Sequence, residues 1–182
     1  MHSFIQHYLK DIVEYDLSTK FFYKNIKDIP VFEKVILCFQ YKNPNYKQIL
    51  NSILVLNIIS NQNNSVLLTL KKSNIVLKLR SGSPVGCKVV LRKIKMLEFL
   101  FNFILTILPQ DKSFEGVVVN TKLKNTISFD FKSLFIFNSL KNHYILIKDL
   151  SNLSVNVTTS SKNLPEFLFL LKSLKFKLIK KN

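Results

Sequence analysis

The residues best suited to chemistry in this chain are a group of cations between positions 71 and 95. Eight lysine and arginine side chains fall in this stretch with no Asp or Glu among them: Lys71, Lys72, Lys78, Arg80, Lys88, Arg92, Lys93 and Lys95. Cations spaced this closely bind phosphate groups, and each phosphate that they neutralise releases condensed counterions. Both arginines of the chain lie here, and a guanidinium group can hold a phosphate bidentately and stack on a base. The alternative for Arg80 and Arg92 is an ion pair with Glu98 or Glu115.

Local sequence predicts how these cations are positioned. Gly82, Pro84 and Gly86 indicate a tight turn, because glycine reaches positive φ without steric cost and proline fixes φ near −65°. The segment 88–92 has the character of a strand carrying cations, and the pattern from Met96 onward is helical. We therefore expect an RNA-binding set made of the eight cations together with Ser81 and Gly82.

The overall charge points to the same class of partner. Lys and Arg outnumber Asp and Glu 27 to 11, so the formal net charge is +16. Such an excess favours a polyanion, either nucleic acid or an acidic membrane surface, over a small neutral substrate. The alternative is that the lysines only keep a chain that is 47% hydrophobic in solution. The apolar stretches 49–59 and 96–108 are interrupted by polar residues and are shorter than the ~20 residues that span a bilayer.

Residue patterns for catalysis and metal binding are missing from the sequence. No pair of carboxylates suggests general acid and base catalysis, and His2, His7 and His143 do not combine with cysteine at metal-ligand spacing. Cys38 and Cys87 form no Cys-x-x-Cys motif and are predicted to be inert core thiols in a reducing compartment. We therefore predict no enzyme activity, no metal and no cofactor.

The aromatic residues allow two interpretations. The run Phe21-Phe22-Tyr23 and the later phenylalanines can stack on unpaired bases, but residues of this kind more often fill a core. Tyr23, Tyr41 and Tyr46 lie in less periodic surroundings and are the better stacking candidates.

The predicted fold is a single α+β domain over residues 1–182, a mostly antiparallel sheet with helices packed on one face and the other face free for RNA. It begins with an N-terminal helix over 1–16, has a projecting basic loop over 71–86 and ends in an extended basic tail over 174–182. Further helices are predicted over 45–60 and 96–108, the latter ended by Pro109, and one starts at 163–166. Strands are predicted at 34–39, 66–70, 89–91, 117–119, 127–131 and 153–158, with another apolar run at 144–147.

One segment also resembles a known family. Residues 79–92, Leu-Arg-Ser-Gly-Ser-Pro-Val-Gly-Cys-Lys-Val-Val-Leu-Arg, followed by Met96, Glu98 and Phe99, are similar to the signature of the bacterial and organellar large-subunit ribosomal protein number five family. The likeness continues upstream in 28–36 and downstream in 135–137 and 155–159. The chain departs from the family pattern at Cys38-Phe39-Gln40, at 122–126 and at Asn138-Ser139.

This resemblance implies a structural role in the large ribosomal subunit. It implies binding of 5S or equivalent ribosomal RNA in the central protuberance, contact with the peptidyl-site tRNA through the basic loop, and contact with neighbouring ribosomal proteins, including a small-subunit head protein. It implies no membrane partner. The N-terminus has neither transit-peptide nor signal-peptide character, so we expect a mitochondrial, organelle-encoded protein, with a plastid as the alternative. The rival functions are a peripheral membrane protein that binds anionic lipid through its lysines and an RNA-processing enzyme.

Overall fold

Seven strands lie in the described part of the chain, and five of them form one sheet. The computed structural model describes residues 6–42, 45–73, 75, 76, 79–111, 114, 116–118 and 125–179. The strands are β1 (Phe32–Gln40), β2 (Val66–Thr69), β3 (Pro84–Leu91), β4 (Val117–Val118), β5 (Thr126–Phe131), β6 (Leu153–Thr159) and β7 (Leu178–Ile179). The antiparallel sheet has the order β2-β3-β1-β6-β5, and β4 pairs in parallel with β7.

Six α-helical segments occupy the same described ranges. They are α1 (Glu14–Lys20), α2 (Tyr46–Ser60), α3 (Lys93–Asn102), α4 (Leu108–Gln110), α5 (Tyr144–Ile147) and α6 (Leu164–Ser173). A π-helical segment, Tyr8–Val13, leads into α1, and another, Phe103–Ile107, joins α3 to α4. Sheet and helices together confirm the predicted α+β class.

Three boundaries differ from the sequence prediction. The N-terminal helix continues to Lys20 rather than ending at 16. Pro109 lies inside α4 rather than ending the helix before it, and Pro is tolerated there because the first turn of a helical segment needs no backbone N–H at that position. The apolar run at 144–147, grouped with strand-like runs in the sequence, forms the short helix α5.

Side chains at the helix ends explain where α2 and α6 begin. The Asn45 backbone N–H donates to Gln48 Oε1 at 3.1 Å, which completes a capping box at the start of α2. The Asn163 side chain donates to Glu166 Oε1 at 2.9 Å, and α6 has a proline in its first turn. The predicted helix start at 163–166 is therefore confirmed.

The chain divides into two compact units. We call residues 36–91 and 129–155 the hairpin unit, and residues 1–35, 92–128 and 156–182 the terminal unit. In the hairpin unit α2 packs on β3, with Val55 and Leu56 of the helix and Cys87 and Val89 of the strand all buried. Burial of each large apolar side chain of this kind contributes roughly 1.5–3 kcal/mol.

The terminal unit has its own apolar core. Helix α1 packs against α6, and Leu17, Phe167 and Leu171 are fully buried. Phe99 and Phe103 stack with their ring centroids 5.6 Å apart. Their offset in sequence places them on one side of the helix, so α3 and the π-helical segment after it contribute one continuous apolar face.

Strand burial alternates as expected for a sheet with one covered face. In β5, Ile127, Phe129 and Phe131 are buried while Ser128 and Asp130 are exposed. The pattern along β6 alternates in the same way from Leu153 to Thr159. Period-two burial of this kind leaves every second residue of the strand on an open face.

Candidate nucleic-acid interface

A loop closed by backbone hydrogen bonds joins β2 to β3 in the hairpin unit. The two strands are antiparallel, and Thr69 faces Pro84 at the loop end of the ladder. Beyond this pair, the Leu70 N–H donates to the Ser83 carbonyl at 3.0 Å, and the Gly82 N–H donates to the Leu70 carbonyl at 2.8 Å. The Ser83 hydroxyl also donates to the Arg80 carbonyl at 2.7 Å. These bonds fix both ends of the loop at its base.

Predicted site residues occupy this loop with their side chains in solvent. Lys71, Lys72, Arg80 and Ser81 are all exposed, while Lys78 lies outside the described residues. Gly82 has a φ of +82°, which L side chains rarely adopt, and a Cβ there would meet nothing within 4 Å. The need for glycine at 82 is therefore conformational, as expected for a turn.

The prediction that Pro84 and Gly86 also form the turn is wrong. Both residues belong to β3, and Gly86 is buried. The neighbouring β1 approaches so closely that a Cβ on Gly86 would lie 2.2 Å from the Phe39 carbonyl oxygen. The Tyr41 N–H donates to the Val85 carbonyl at 2.9 Å, which holds the two strands in this register. Gly86 is required by the close backbone contact and not by positive φ.

Two apolar residues of the loop escaped the sequence analysis. Ile75 is 91% exposed and Val76 is 90% exposed, and they follow the exposed pair Lys71 and Lys72. The signal in the sequence is an apolar pair inside a cationic loop. The loop thus offers apolar surface and positive charge together, a combination that suits the sugars, bases and phosphates of RNA better than phosphate alone.

Lys88 lies in a different environment from the loop cations. It is half-buried in β3, directly opposite Val66 of β2. Its positive charge and the negative charge of Asp130 both act on Cys38, which places all three near one another on the sheet. Asp130 also accepts a 2.6 Å hydrogen bond from the Ser154 hydroxyl. A nearby carboxylate makes Lys88 a weaker phosphate ligand than Lys71, Lys72 or Arg80.

Both cysteines are free and buried. Burial raises the pKa of the Cys38 thiol, with a further contribution from Asp130. Burial also raises the pKa of the Cys87 thiol, whose Sγ donates to the Ser52 hydroxyl at 3.0 Å. Because the thiolate is the reactive form, both residues are poor nucleophiles.

The remaining predicted cations belong to the terminal unit. Arg92 is the residue before α3, and Lys93 and Lys95 lie in its first turn; all three are exposed. Lys93 has a φ of 51°, an uncommon conformation for a residue with a side chain. Cations near the positive end of a helix dipole are unfavourable, so this end of α3 is a region of high positive potential.

The stacking candidates fare differently. Tyr46 is 82% exposed, whereas the hydroxyls of Tyr23 and Tyr41 are enclosed in the protein. Burial, with a contribution from the Glu166 carboxylate, raises the pKa of Tyr23 to about 12. Phe22, which sequence reasoning did not favour, is fully exposed.

Across the ranges that the structure describes, no three His, Cys, Asp or Glu side chains come together in a way that could hold a metal ion. None of the helices in those ranges combines the length and apolar character needed to cross a bilayer.

The chain is similar to ribosomal proteins over nearly its whole length. Residues 84–178 match the C-terminus of the ribosomal uL5 family. The chain is 33% identical over 172 residues to the large ribosomal subunit protein uL5 of Nitrosomonas europaea, covering 93% of this chain and 94% of that protein. It is 34% identical over 170 residues to uL5 of Geobacter sulfurreducens, covering 92% and 93%. It is 29% identical over 184 residues to the large ribosomal subunit protein uL5m of Reclinomonas americana, covering 100% of both.

Proposed function

This chain belongs to the uL5 family of ribosomal proteins, and from that premise we propose that it anchors folded ribosomal RNA in the large subunit through its exposed cations. Membership makes the protein a structural constituent of the large ribosomal subunit and not an enzyme. The finer assignment is 5S or equivalent ribosomal RNA in the central protuberance. Its setting is a mitochondrial ribosome, which the full-length match to uL5m supports.

The observation that carries the proposal is the loop between β2 and β3. Its ends are fixed by the hydrogen bonds of Leu70 with Ser83 and Gly82, while Lys71, Lys72 and Arg80 remain exposed. A loop with a fixed base loses little conformational entropy when its side chains meet a partner. We propose that this loop reaches the peptidyl-site tRNA.

The second group of cations, Arg92, Lys93 and Lys95, is the proposed contact for ribosomal RNA from the terminal unit. No acidic residue lies in the first turn of α3 to neutralise them. Backbone phosphates need no particular base sequence, so contacts of this type position the protein on a folded RNA instead of reading sequence. A small-subunit head protein and neighbouring large-subunit proteins complete the proposed set of partners.

Salt dependence of RNA binding tests the role of the loop. The full chain would be titrated with an in vitro transcript of the large-subunit ribosomal RNA at several salt concentrations. Lys71→Gln, Lys72→Gln and Arg80→Gln combined should reduce the slope of log affinity against log salt by roughly 2 to 3, because up to three phosphate contacts are lost. Equal slopes in the triple variant and the unsubstituted protein would exclude the loop from RNA binding.

A matched triple variant controls for net charge. Lys42, Lys141 and Lys148 are exposed in the same hairpin unit, so replacing all three with Gln removes the same charge at other places. The control should change the slope less than the loop triple does. A preference for anionic vesicles over RNA by the unsubstituted protein would favour the peripheral membrane alternative and reject the proposal.

A further inference from the structure

The geometry points to a second kind of RNA contact in the terminal unit: segment 22–27 captures an unpaired nucleotide of RNA, with the Phe22 ring as a stacking platform and Lys24 and Lys27 as phosphate partners. The inference rests on the proposed role in RNA binding, and it adds a contact to bases where the cationic groups contact phosphates.

Phe22 is the most exposed large apolar side chain among the residues described. Its relative exposure is 108%, against 87% for Ile26 in the same segment. Leaving a phenyl ring entirely in water forgoes the roughly 1.5–3 kcal/mol that its burial contributes. Nearly every other described phenylalanine is at least half-buried, so the exposure of Phe22 requires a separate explanation.

Neighbouring residues hold Phe22 outward. The Phe21 N–H donates to the Leu17 carbonyl at 2.8 Å, and the Phe21 ring meets Phe169 edge-on with centroids 6.0 Å apart. The Phe21 backbone is extended, with φ −123° and ψ 135°. Alternate side chains of an extended segment point in opposite directions, so the inward Phe21 and Tyr23 direct Phe22 to solvent.

The chain after Phe22 is also ordered by contacts. The Asp28 N–H donates to the Asn25 carbonyl at 3.0 Å, forming a 3₁₀ turn over Ile26–Asp28. The Tyr23 hydroxyl is enclosed by the protein, which fixes the residue immediately after Phe22. A platform held between two anchored residues is preorganised for stacking.

Local charge favours RNA as the occupant. Lys24 and Lys27 are exposed on either side of Ile26. The acidic residue of the segment, Asp28, is bound to the Lys162 ammonium at 2.5 Å, so its charge is compensated. Lys20 is engaged elsewhere, with its Nζ 4.5 Å from the centre of the Phe169 ring. The segment therefore presents one flat ring beside exposed cations, the arrangement that binds single-stranded RNA by stacking and phosphate contact.

A protein partner fits this segment less well. A docking surface for protein requires a contiguous apolar patch, whereas the exposed apolar residues here, Phe22 and Ile26, alternate with lysines. Tyr15 on α1 provides the contrast: it is 67% exposed but follows Glu14 and precedes Asp16. An aromatic ring beside two carboxylates repels RNA, so Tyr15 serves as an internal control.

The absence of tryptophan from the sequence permits a direct measurement of stacking. Phe22→Trp would introduce a single fluorophore, whose emission should be strongly quenched when the full chain binds a 12-nucleotide oligouridine or oligoadenosine. Tyr15→Trp, the matched control, should show little quenching. Phe22→Ala should weaken binding of the same oligonucleotides roughly 10- to 100-fold, and Phe22→Tyr should restore it.

The outcomes separate this inference from the proposed function. RNA binding that is undiminished in Phe22→Ala, with no quenching in Phe22→Trp, would overturn the stacking site and leave the cationic contacts in place. Failure of the unsubstituted protein to bind either the oligonucleotides or the ribosomal transcript would reject the proposed function itself. A blue shift of Phe22→Trp emission with anionic vesicles but not with RNA would replace the nucleotide with lipid. Unchanged melting temperatures would confirm that the variants fold.

Discussion

The Gly86 backbone and the Phe39 carbonyl lie so close together that a Cβ atom on Gly86 would be 2.2 Å from the Phe39 oxygen. The obstacle is backbone in a neighbouring strand, so no side-chain rotation relieves it. Gly82, four residues earlier, has open space around it and needs glycine for its φ of +82°. Two glycines of one motif thus serve two different physical requirements.

Replacing these glycines should separate the two requirements. Gly86→Ala should destabilise the protein by about 3 kcal/mol or more, because strands β1 and β3 must move apart. Gly82→Ala should cost only about 1 to 2 kcal/mol of left-handed strain. Urea unfolding followed by circular dichroism measures both values. Equal losses would show that Gly86 does not make the close contact.

Thiol reactivity should be low in the folded protein. Burial raises the pKa of both Cys38 and Cys87, so little thiolate exists at neutral pH. An aromatic disulfide reagent should react slowly with the native protein and rapidly with both thiols in denaturant. Rapid reaction of one thiol in the native state would show that its strand opens or that the side chain is accessible. Ser52→Ala provides a probe of the Cys87 contact and should leave Cys38 unaffected.

The tyrosine spectrum should contain a late-titrating component. The pKa of Tyr23 is raised to about 12 by burial and the Glu166 charge, whereas the value in the unfolded chain is 10.0. The neutral hydroxyl is therefore favoured by folding, and its contribution to stability is complete below pH 10 and lost as pH rises toward 12. Absorbance titration of the six tyrosines should show this component, and Tyr23→Phe should remove it. Its persistence in Tyr23→Phe would assign it elsewhere.

Acid titration should report the ion pair that compensates Asp28. A hydrogen bond from Lys162 and its positive charge lower the pKa of Asp28 below 3.8. A lowered carboxyl pKa contributes stability that is present above pH 3.8 and lost as pH falls through the folded value. Lys162→Gln should return the Asp28 pKa toward 3.8 and flatten stability in that acid range. Carboxyl chemical shifts measured by NMR against pH provide the test, with Lys172→Gln as an exposed control.

Sequence patterns predicted those elements in which local preference and burial agree. The clean alternation of Val155 and Val157 with polar residues identified β6, and the Asn163 to Glu166 pattern identified the start of α6. The Tyr144–Ile147 run failed because four apolar residues fit a short strand or a helical turn equally well.

The site was harder to predict from sequence because it depends on contacts between distant segments. Cation spacing found Lys71, Lys72 and Arg80, but the role of Gly86 depends on Phe39, which lies far away in the chain. In the same way Phe22 and Phe21 are chemically identical neighbours. Only packing of Phe21 on Phe169 decides which ring is left outside.

Strand β2 ends the five-stranded sheet, and its outer backbone has no partner strand within the described sheet. Val66 and Leu67 on this strand are 53% and 43% exposed. An open, partly apolar strand edge is a template for pairing with another copy of the chain. Newly synthesised protein is therefore prone to self-association through β2 until it is incorporated into a particle, so production of excess subunits over available RNA carries a direct penalty in aggregation.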